Sequence, residues 1–121
     1  MIYIGNDIIE VNRIRQSIDS YGDKFIEKVF TAEEIKYCKA RKVSEIHFAG
    51  RFAAKEAIKK AILSLDNQIN LPLKNIEISR HDSGKPIVFL QVNTNQYKLK
   101  IKVSISHTNQ YATAIALVIK T

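Results

Sequence analysis

The 121-residue chain has one cysteine, Cys38, no tryptophan, two prolines and four glycines. A single thiol excludes an internal disulfide and a cysteine metal cluster, and it fits a reducing cytoplasm. The glycine-rich nucleotide loops are missing: neither G-x-x-x-x-G-K-[ST] nor G-x-G-x-x-G occurs. The G-x-S-x-G elbow is missing too, which leaves a Ser-His hydrolase unsupported. The longest apolar run, Tyr111 to Ile119, falls far short of the ~20 residues a membrane helix needs. The opening stretch MIYIGNDIIEV has no basic segment and carries Asp7 and Glu10, so no secretory leader is expected. Acidic residues are scarce, 12 against 19 Lys and Arg, a net charge of +7. That balance favours an acidic partner (nucleic acid, a phosphorylated cofactor, an anionic membrane or an acidic protein) without choosing among them.

What is present fits a single domain over residues 1–121, and a hydrophobic content of 45% supports a packed core. Met1 to Ile4 reads as a short strand stopped at Gly5. Ile8, Ile9, Val11 and Ile14 begin a helical series reaching about Ser20, broken by Tyr21-Gly22-Asp23. Thr31-Ala-Glu-Glu34 has the capping-box pattern and starts a helix at Ala32. Ser44 is a candidate cap for the longest helix, Glu45 to Leu65. After Asp66 the segments Asn75–Arg80, Pro86–Val92, Leu99–Ser106 and Tyr111–Ile119 are rich in β-branched residues. Asp82-Ser83-Gly84 and Asn93-Thr94-Asn95 are turn material between them. A short strand and helices followed by an antiparallel β-meander make the class α+β.

The long helix carries the chemistry. In FAGRFAAKEAIKKA, Phe48 to Ala61, an arc of Ala49, Ala53, Ala54, Ala57, Ile58, Ala61 and Leu65 faces a second arc of Arg51, Lys55, Glu56, Lys59 and Lys60. Glu56 and Lys60 stand four apart, a spacing that also suits an ordinary helical ion pair. That bland reading is the commoner one for the spacing; the functional reading has Glu56 hold a hard cation such as Mg²⁺, which takes one or two carboxylates plus phosphates and water. Asp7, after Gly5, offers a second carboxylate, although a short acid there is also a common turn former or cap. His107 ends the stretch Val103-Ser104-Ile105-Ser106-His107-Thr108, and no second histidine or cysteine stands at zinc spacing. Asp82-Ser83-Gly84-Lys85-Pro86 alone is a hairpin turn.

Four pieces in this order change the reading. Gly5-x-Asp7 with Arg13, then Arg51-Phe52-Ala-Ala-Lys55-Glu56-Ala57-x-x-Lys60-Ala61, then Gly84-Lys85-Pro86, then Ser104-Ile-Ser106-His107-Thr108 resemble the stand-alone type of 4′-phosphopantetheinyl transferase, the holo-[acyl-carrier-protein] synthases. The Lys-Glu-Ala-x-x-Lys-Ala core is the most specific part, and Phe52 stands where many relatives carry tryptophan. The resemblance implies the fold of that family, a homotrimer with sites between subunits, and a cytoplasmic enzyme of fatty acid biosynthesis. It implies transfer of the phosphopantetheine arm of coenzyme A to a serine of an acyl carrier protein, leaving adenosine 3′,5′-bisphosphate. Asp7 and Glu56 would hold Mg²⁺ and Lys60 would contact the pyrophosphate, with Glu56 or a water as base. Arg51, Lys55, Gly84, Lys85, Pro86, Ser106 and His107 would line the coenzyme site. Arg13 and Arg15 would dock the acidic carrier, helped by Lys24 and Lys28.

Two rivals remain at this stage. A nucleic-acid-binding domain suits the basic charge, but the chain lacks an RNP-like aromatic strand motif, and Asp7 and Glu56 would repel phosphate without a metal. A Mg²⁺-dependent phosphohydrolase would use the same carboxylates. The expected partners are therefore coenzyme A and a carrier protein, with no nucleic acid and no membrane.

Overall fold

A computed structural model describes residues 1–92, 94 and 96–121. Strand β1 (Ile2–Glu10) runs directly into helix α1 (Val11–Tyr21). Gly22, at φ +57°, lets the chain reverse into a second short helix, α2 (Asp23–Val29). Helix α3 (Ala32–Lys39) starts on the capping box legible in the sequence: Glu34 N–H donates to Thr31 Oγ1 and Thr31 N–H donates to Glu34 Oε1. Helix α4 (Ser44–Leu65) is the long central helix, and strands β2 (Ile76–Arg80), β3 (Pro86–Leu90), β4 (Leu99–His107) and β5 (Tyr111–Lys120) follow.

The class is α+β with antiparallel strands, as expected, but the strands are shared between two sheets. One has the order β1-β5-β4, and β2 pairs with β3 in a separate hairpin. The N-terminal strand thus closes against the C-terminal one, Ile2 opposite Ile119 and Glu10 opposite Tyr111. Alternation along β5 buries Ala112, Ala114, Ala116 and Val118 against α4 and turns Thr113 and Ile115 outward.

Several boundaries differ from the sequence reading. Gly5 does not stop β1, which continues five residues further, and α1 begins at Val11 rather than near Ile8. The glycine serves a close approach: a Cβ there would lie 1.9 Å from the Ala57 carbonyl oxygen of α4. Asp7 is therefore a mid-strand residue opposite Ala114, not a strand-end turn former. Ser44 is the first residue of α4, and no side chain caps that helix. Helix α2 was not foreseen, because seven residues give too short a window for a 3.6-residue period. The turn expected at Asn93-Thr94-Asn95 includes two residues, Asn93 and Asn95, that lie outside the described residues.

Two apolar clusters share α4. One joins Ala53, Ala57, Ala61 and Ile62 to Ile76, Ile78 and β5; the other joins Phe48 and Ala49 to Val11, Ile14, Phe30 and Cys38. Alanine and glycine at the crossing of β1, β5 and α4 bring the backbones close enough to make this one packed layer. Gly5→Ala forces a clash with backbone rather than with a flexible side chain, so it is expected to lower stability by about 3 kcal/mol. Urea unfolding would measure it, and a change under ~0.5 kcal/mol would contradict the close approach.

Candidate functional site

Two clefts open beside α4. The larger, about 640 Å³, collects Asp7 and Glu10 of β1, Arg13 of α1, Phe52 and Glu56 of α4, and Tyr111 of β5. Glu56 is half-buried, and among the described residues its carboxylate has no ion-pair partner. The helical pair with Lys60 does not form. Lys60 Nζ reaches instead to Asp7 Oδ1 and to the Asn6 carbonyl, each at 3.0 Å. The Asp7 side chain is 17% exposed and that of Lys60 55%, so this pair lies at the surface and is worth little in stability. Its consequence is geometric: an ammonium is held against one carboxylate while a second carboxylate faces the same cleft unpaired.

The smaller cleft, about 310 Å³, collects Tyr37 of α3, His47 and Arg51 of α4, Arg80 of β2, Gly84 and Pro86 of the hairpin, and Ser104 and His107 of β4. Every charged residue lining it is an arginine or a histidine. The His47 ring stands edge-on to both Tyr37 and His107, at centroid distances of 5.8 and 5.9 Å. Burial pulls the His47 pKa down, and the charges of His107, Arg51, Arg41 and Arg80 pull it further the same way. Arg51 is 6% exposed and its Nε has no hydrogen-bond partner. Burial also lowers its pKa.

Several residues named from sequence are not in these clefts. Lys55 is fully buried; its Nζ donates to the Val29 carbonyl at 2.7 Å and forms an ion pair with Glu34. Burial lowers the Lys55 pKa, and Glu34 opposes that shift. Its assignment to the coenzyme site is therefore withdrawn, because no donor of that ammonium reaches an open surface. Lys85 and Ser106 are exposed and line neither cleft. Arg15 points away from Arg13, since residues two apart diverge on a helix. It lies 3.9 Å from Glu45 and borders a separate hollow. Conversely, sequence reasoning passed over Tyr37, His47 and Arg80. The four-residue spacings Tyr37–Arg41 and His47–Arg51 were the available signal; Arg80 had none.

The comparisons with known proteins converge on one answer. The family model of the 4′-phosphopantetheinyl transferase superfamily matches residues 3–116. The chain belongs to this superfamily, as a member of its holo-[acyl-carrier-protein] synthase type. It is 44% identical over 116 residues to the holo-[acyl-carrier-protein] synthase of Protochlamydia amoebophila, covering 94% of each chain. The solved holo-(acyl-carrier-protein) synthase of Bacillus anthracis in complex with CoA (3′,5′-ADP) superposes with a TM-score of 0.79 at 34% identity, over 98% of this chain and 96% of that one. The Helicobacter pylori enzyme in complex with coenzyme A gives 0.77 at 30% identity, over 98% and 99%.

The buried pair also sets a stability expectation. Lys55→Met leaves Glu34 charged and uncompensated, and is expected to cost about 3–5 kcal/mol. Adding Glu34→Gln should restore a large part of that loss, because a neutral amide tolerates the apolar neighbour better. Thermal unfolding of the two single variants and the double variant would measure the coupling; additive losses would contradict it.

Proposed function

We propose that the two clefts are the two halves of one coenzyme A site, each completed by a neighbouring copy of the chain. The reaction is transfer of the 4′-phosphopantetheine arm of coenzyme A to a serine hydroxyl of an apo acyl carrier protein, with adenosine 3′,5′-bisphosphate as the other product. It is a step of fatty acid biosynthesis, carried out by one domain spanning residues 1–121. A lone buried Cys38, its thiol pushed up to about 12 by burial, needs no oxidising compartment and suits the cytoplasm.

The observation that carries this reading is the unpaired Glu56 carboxylate beside the Asp7–Lys60 pair. Two carboxylates with an open mouth suit Mg²⁺, which accepts one or two such groups and fills its shell with phosphate oxygens and water. Among the described residues no set of three metal-ligating side chains exists, so substrate would have to supply the remaining ligands. Asp7 and Glu56 would hold the ion, which when bound neutralises charge on the pyrophosphate. Lys60, fixed by Asp7 and the Asn6 carbonyl, presents an ammonium to the same phosphates. The arginine- and histidine-lined cleft suits the adenosine end with its 3′-phosphate, through Arg51 and His107 together with Gly84 and Pro86.

A site between subunits is what the family resemblance implies, and helix geometry is compatible with it. At ~100° per residue, His47, Gly50 and Arg51 point roughly opposite to Phe52 and Glu56. A site that uses both clefts would therefore pair the larger cleft of one copy with the smaller cleft of a neighbour. The outer face of the β1-β5-β4 sheet supplies a surface for assembly. Ile2, Ile4 and Ile8 are 61%, 60% and 67% exposed, and Ile115 and Tyr111 lie beside them at 49% and 45%. A contiguous apolar patch of this kind suits an interface between copies; a homotrimer is what the family resemblance implies. Arg13, at the edge of the larger cleft, remains the candidate for docking an acidic carrier, and exposed Lys24 and Lys28 add to the positive field on that side.

The direct test is the intact mass of an apo acyl carrier protein after incubation with this protein, coenzyme A and Mg²⁺. A gain of one phosphopantetheine, abolished by EDTA, is expected, and no gain with several carriers would overturn the reading. Glu56→Gln and Arg51→Ala should each reduce transfer at least ~100-fold while leaving the fold intact. Co-expressed in one cell, the two variants should regain a measurable fraction, because some interfaces then pair two intact halves. Absence of any rescue would place the site within one chain.

The His47 environment gives a pH expectation. In the free protein its pKa is depressed, so the ring is neutral at pH 7; a bound phosphate offsets the surrounding cations and raises it. Binding of adenosine 3′,5′-bisphosphate should therefore take up protons when the pH lies above the depressed free-state pKa of His47. Calorimetry in buffers of different ionisation enthalpy would read the uptake, and His47→Asn should reduce it.

A further inference from the structure

Tyr37, near the end of α3, carries three guanidinium groups around a single ring. The Cζ atoms of Arg51, Arg41 and Arg80 lie 3.8, 4.3 and 5.1 Å from its centroid. Its hydroxyl accepts a hydrogen bond from Arg80 Nη1 at 2.6 Å. Arg80 comes from the end of β2, Arg51 from α4 and Arg41 from the segment after α3, so the ring is the point where three separate pieces of chain meet. Gly84 makes room for this arrangement: at φ +88°, a Cβ on it would meet Arg80 Nη2 at 3.0 Å.

The choice of partner matters. A carboxylate among three arginines would neutralise them and occupy their N–H donors. An aromatic face attracts the cations but accepts no guanidinium N–H in the plane of the fork, so the donors stay open. No carboxylate lines this cleft, and among the described residues none of the three arginines has an ion-pair partner. Among the described residues the buried Arg51 Nε has no hydrogen-bond partner, a second observation that points to a ligand acceptor here.

We propose that Tyr37 is a positioning residue for phosphate recognition: its ring and hydroxyl hold Arg51 and Arg80 of the cleft lining with donors free for a phosphate monoester dianion, and Arg41, stacked on the same ring, adds positive charge beside them. The proposal rests on the reading that this cleft takes the 3′-phosphate end of coenzyme A. Tyr37 touches no phosphate itself and acts through the arginines. It therefore sets selectivity for the phosphorylated coenzyme rather than the rate of transfer.

The test compares binding of adenosine 3′,5′-bisphosphate and adenosine 5′-monophosphate to the full chain by calorimetry, for the wild type, Tyr37→Phe and Tyr37→Leu. Tyr37→Leu is expected to weaken the bisphosphate roughly tenfold or more and the monophosphate less than about twofold. Tyr37→Phe, which keeps the ring and loses only the bond to Arg80, should fall between. In turnover, the KM for coenzyme A should rise in the same order with kcat nearly unchanged, and 3′-dephospho-coenzyme A should show no such rise. Equal losses for both nucleotides, or selectivity fully retained in Tyr37→Leu, would overturn the role of Tyr37 while leaving the cleft assignment standing. A wild type that binds both nucleotides equally, or neither, would overturn the cleft assignment and with it the proposal. Should Tyr37→Leu fold poorly, Tyr37→Phe is read instead: a partial loss of selectivity with a raised KM supports the proposal, and selectivity and KM both unchanged would overturn it, because the hydroxyl bond to Arg80 is part of how the arginines are held.

Discussion

A buried ion pair between Glu34 and Lys55 joins elements that no strand-ladder hydrogen bonds connect. One oxygen of Glu34 accepts from Thr31 N–H and from Lys55, and the other accepts from Ile78 N–H at 2.8 Å. Lys55 also donates to the Val29 carbonyl at the end of α2. Four elements, α2, α3, α4 and β2, are thereby fixed to one another through two side chains. Both side chains are fully buried, so solvent cannot substitute for either partner. Thr31 extends the network by donating to Glu77 at 2.7 Å. Burying two charges is costly, and an apolar pair would serve stability as well or better. What the charged pair adds is direction: it fixes the rotation of α4 about its own axis, since only one side of the helix presents Lys55 to Glu34.

That rotation decides where everything else points. With Lys55 turned inward, Glu56 emerges on one flank of α4 beside Asp7, and Arg51 emerges on the other beside Tyr37. The opposite placement of carboxylates and arginines is thus a consequence of a core interaction rather than of either cleft. It also separates the opposite charges a coenzyme site needs, so that neither neutralises the other within one chain. The close approach of β1 to α4 at Gly5 completes the arrangement by setting Asp7 at the depth where Lys60 can reach it.

Much of this was legible in the sequence, and the exceptions have physical causes. The capping box of α3, the long helix and the four late strands were readable from local pattern, whereas Asp7 and Glu56 were brought together only by the family resemblance. The place of Lys55 was not readable: a lysine in an alanine-rich helix looks the same whether its ammonium faces a ligand or a carboxylate 21 residues away. Gly5 was misread because a glycine that admits a neighbouring backbone and a glycine that ends a strand are indistinguishable in one dimension. The pairing of β1 with β5 joins the two ends of the chain, a contact that no local window contains. The arginine cluster depends on the same kind of long-range contact, since Arg80 reaches Tyr37 across 43 residues.

Both clefts hold their charges in arrangements that are unfavourable on their own. One keeps a carboxylate without an ion-pair partner; the other keeps two guanidinium groups and two histidine rings together, with a third guanidinium, that of Arg41, on the same tyrosine, and among the described residues no acid lines it. Such preorganisation is paid for in the free protein and recovered when ligand arrives, because donors already aimed at the ligand need no reorganisation at the moment of reaction. The aromatic ring lowers the cost of holding the cations without removing their capacity to bind. The rigid core around Glu34 and Lys55 is what prevents the cluster from relaxing: β2 and α4 cannot separate to relieve the repulsion while Glu34 holds both. The stability of the core and the electrostatic readiness of the cleft are therefore coupled through the same two elements. A loosened core would first show itself as lost selectivity for a charged ligand, before any loss of fold.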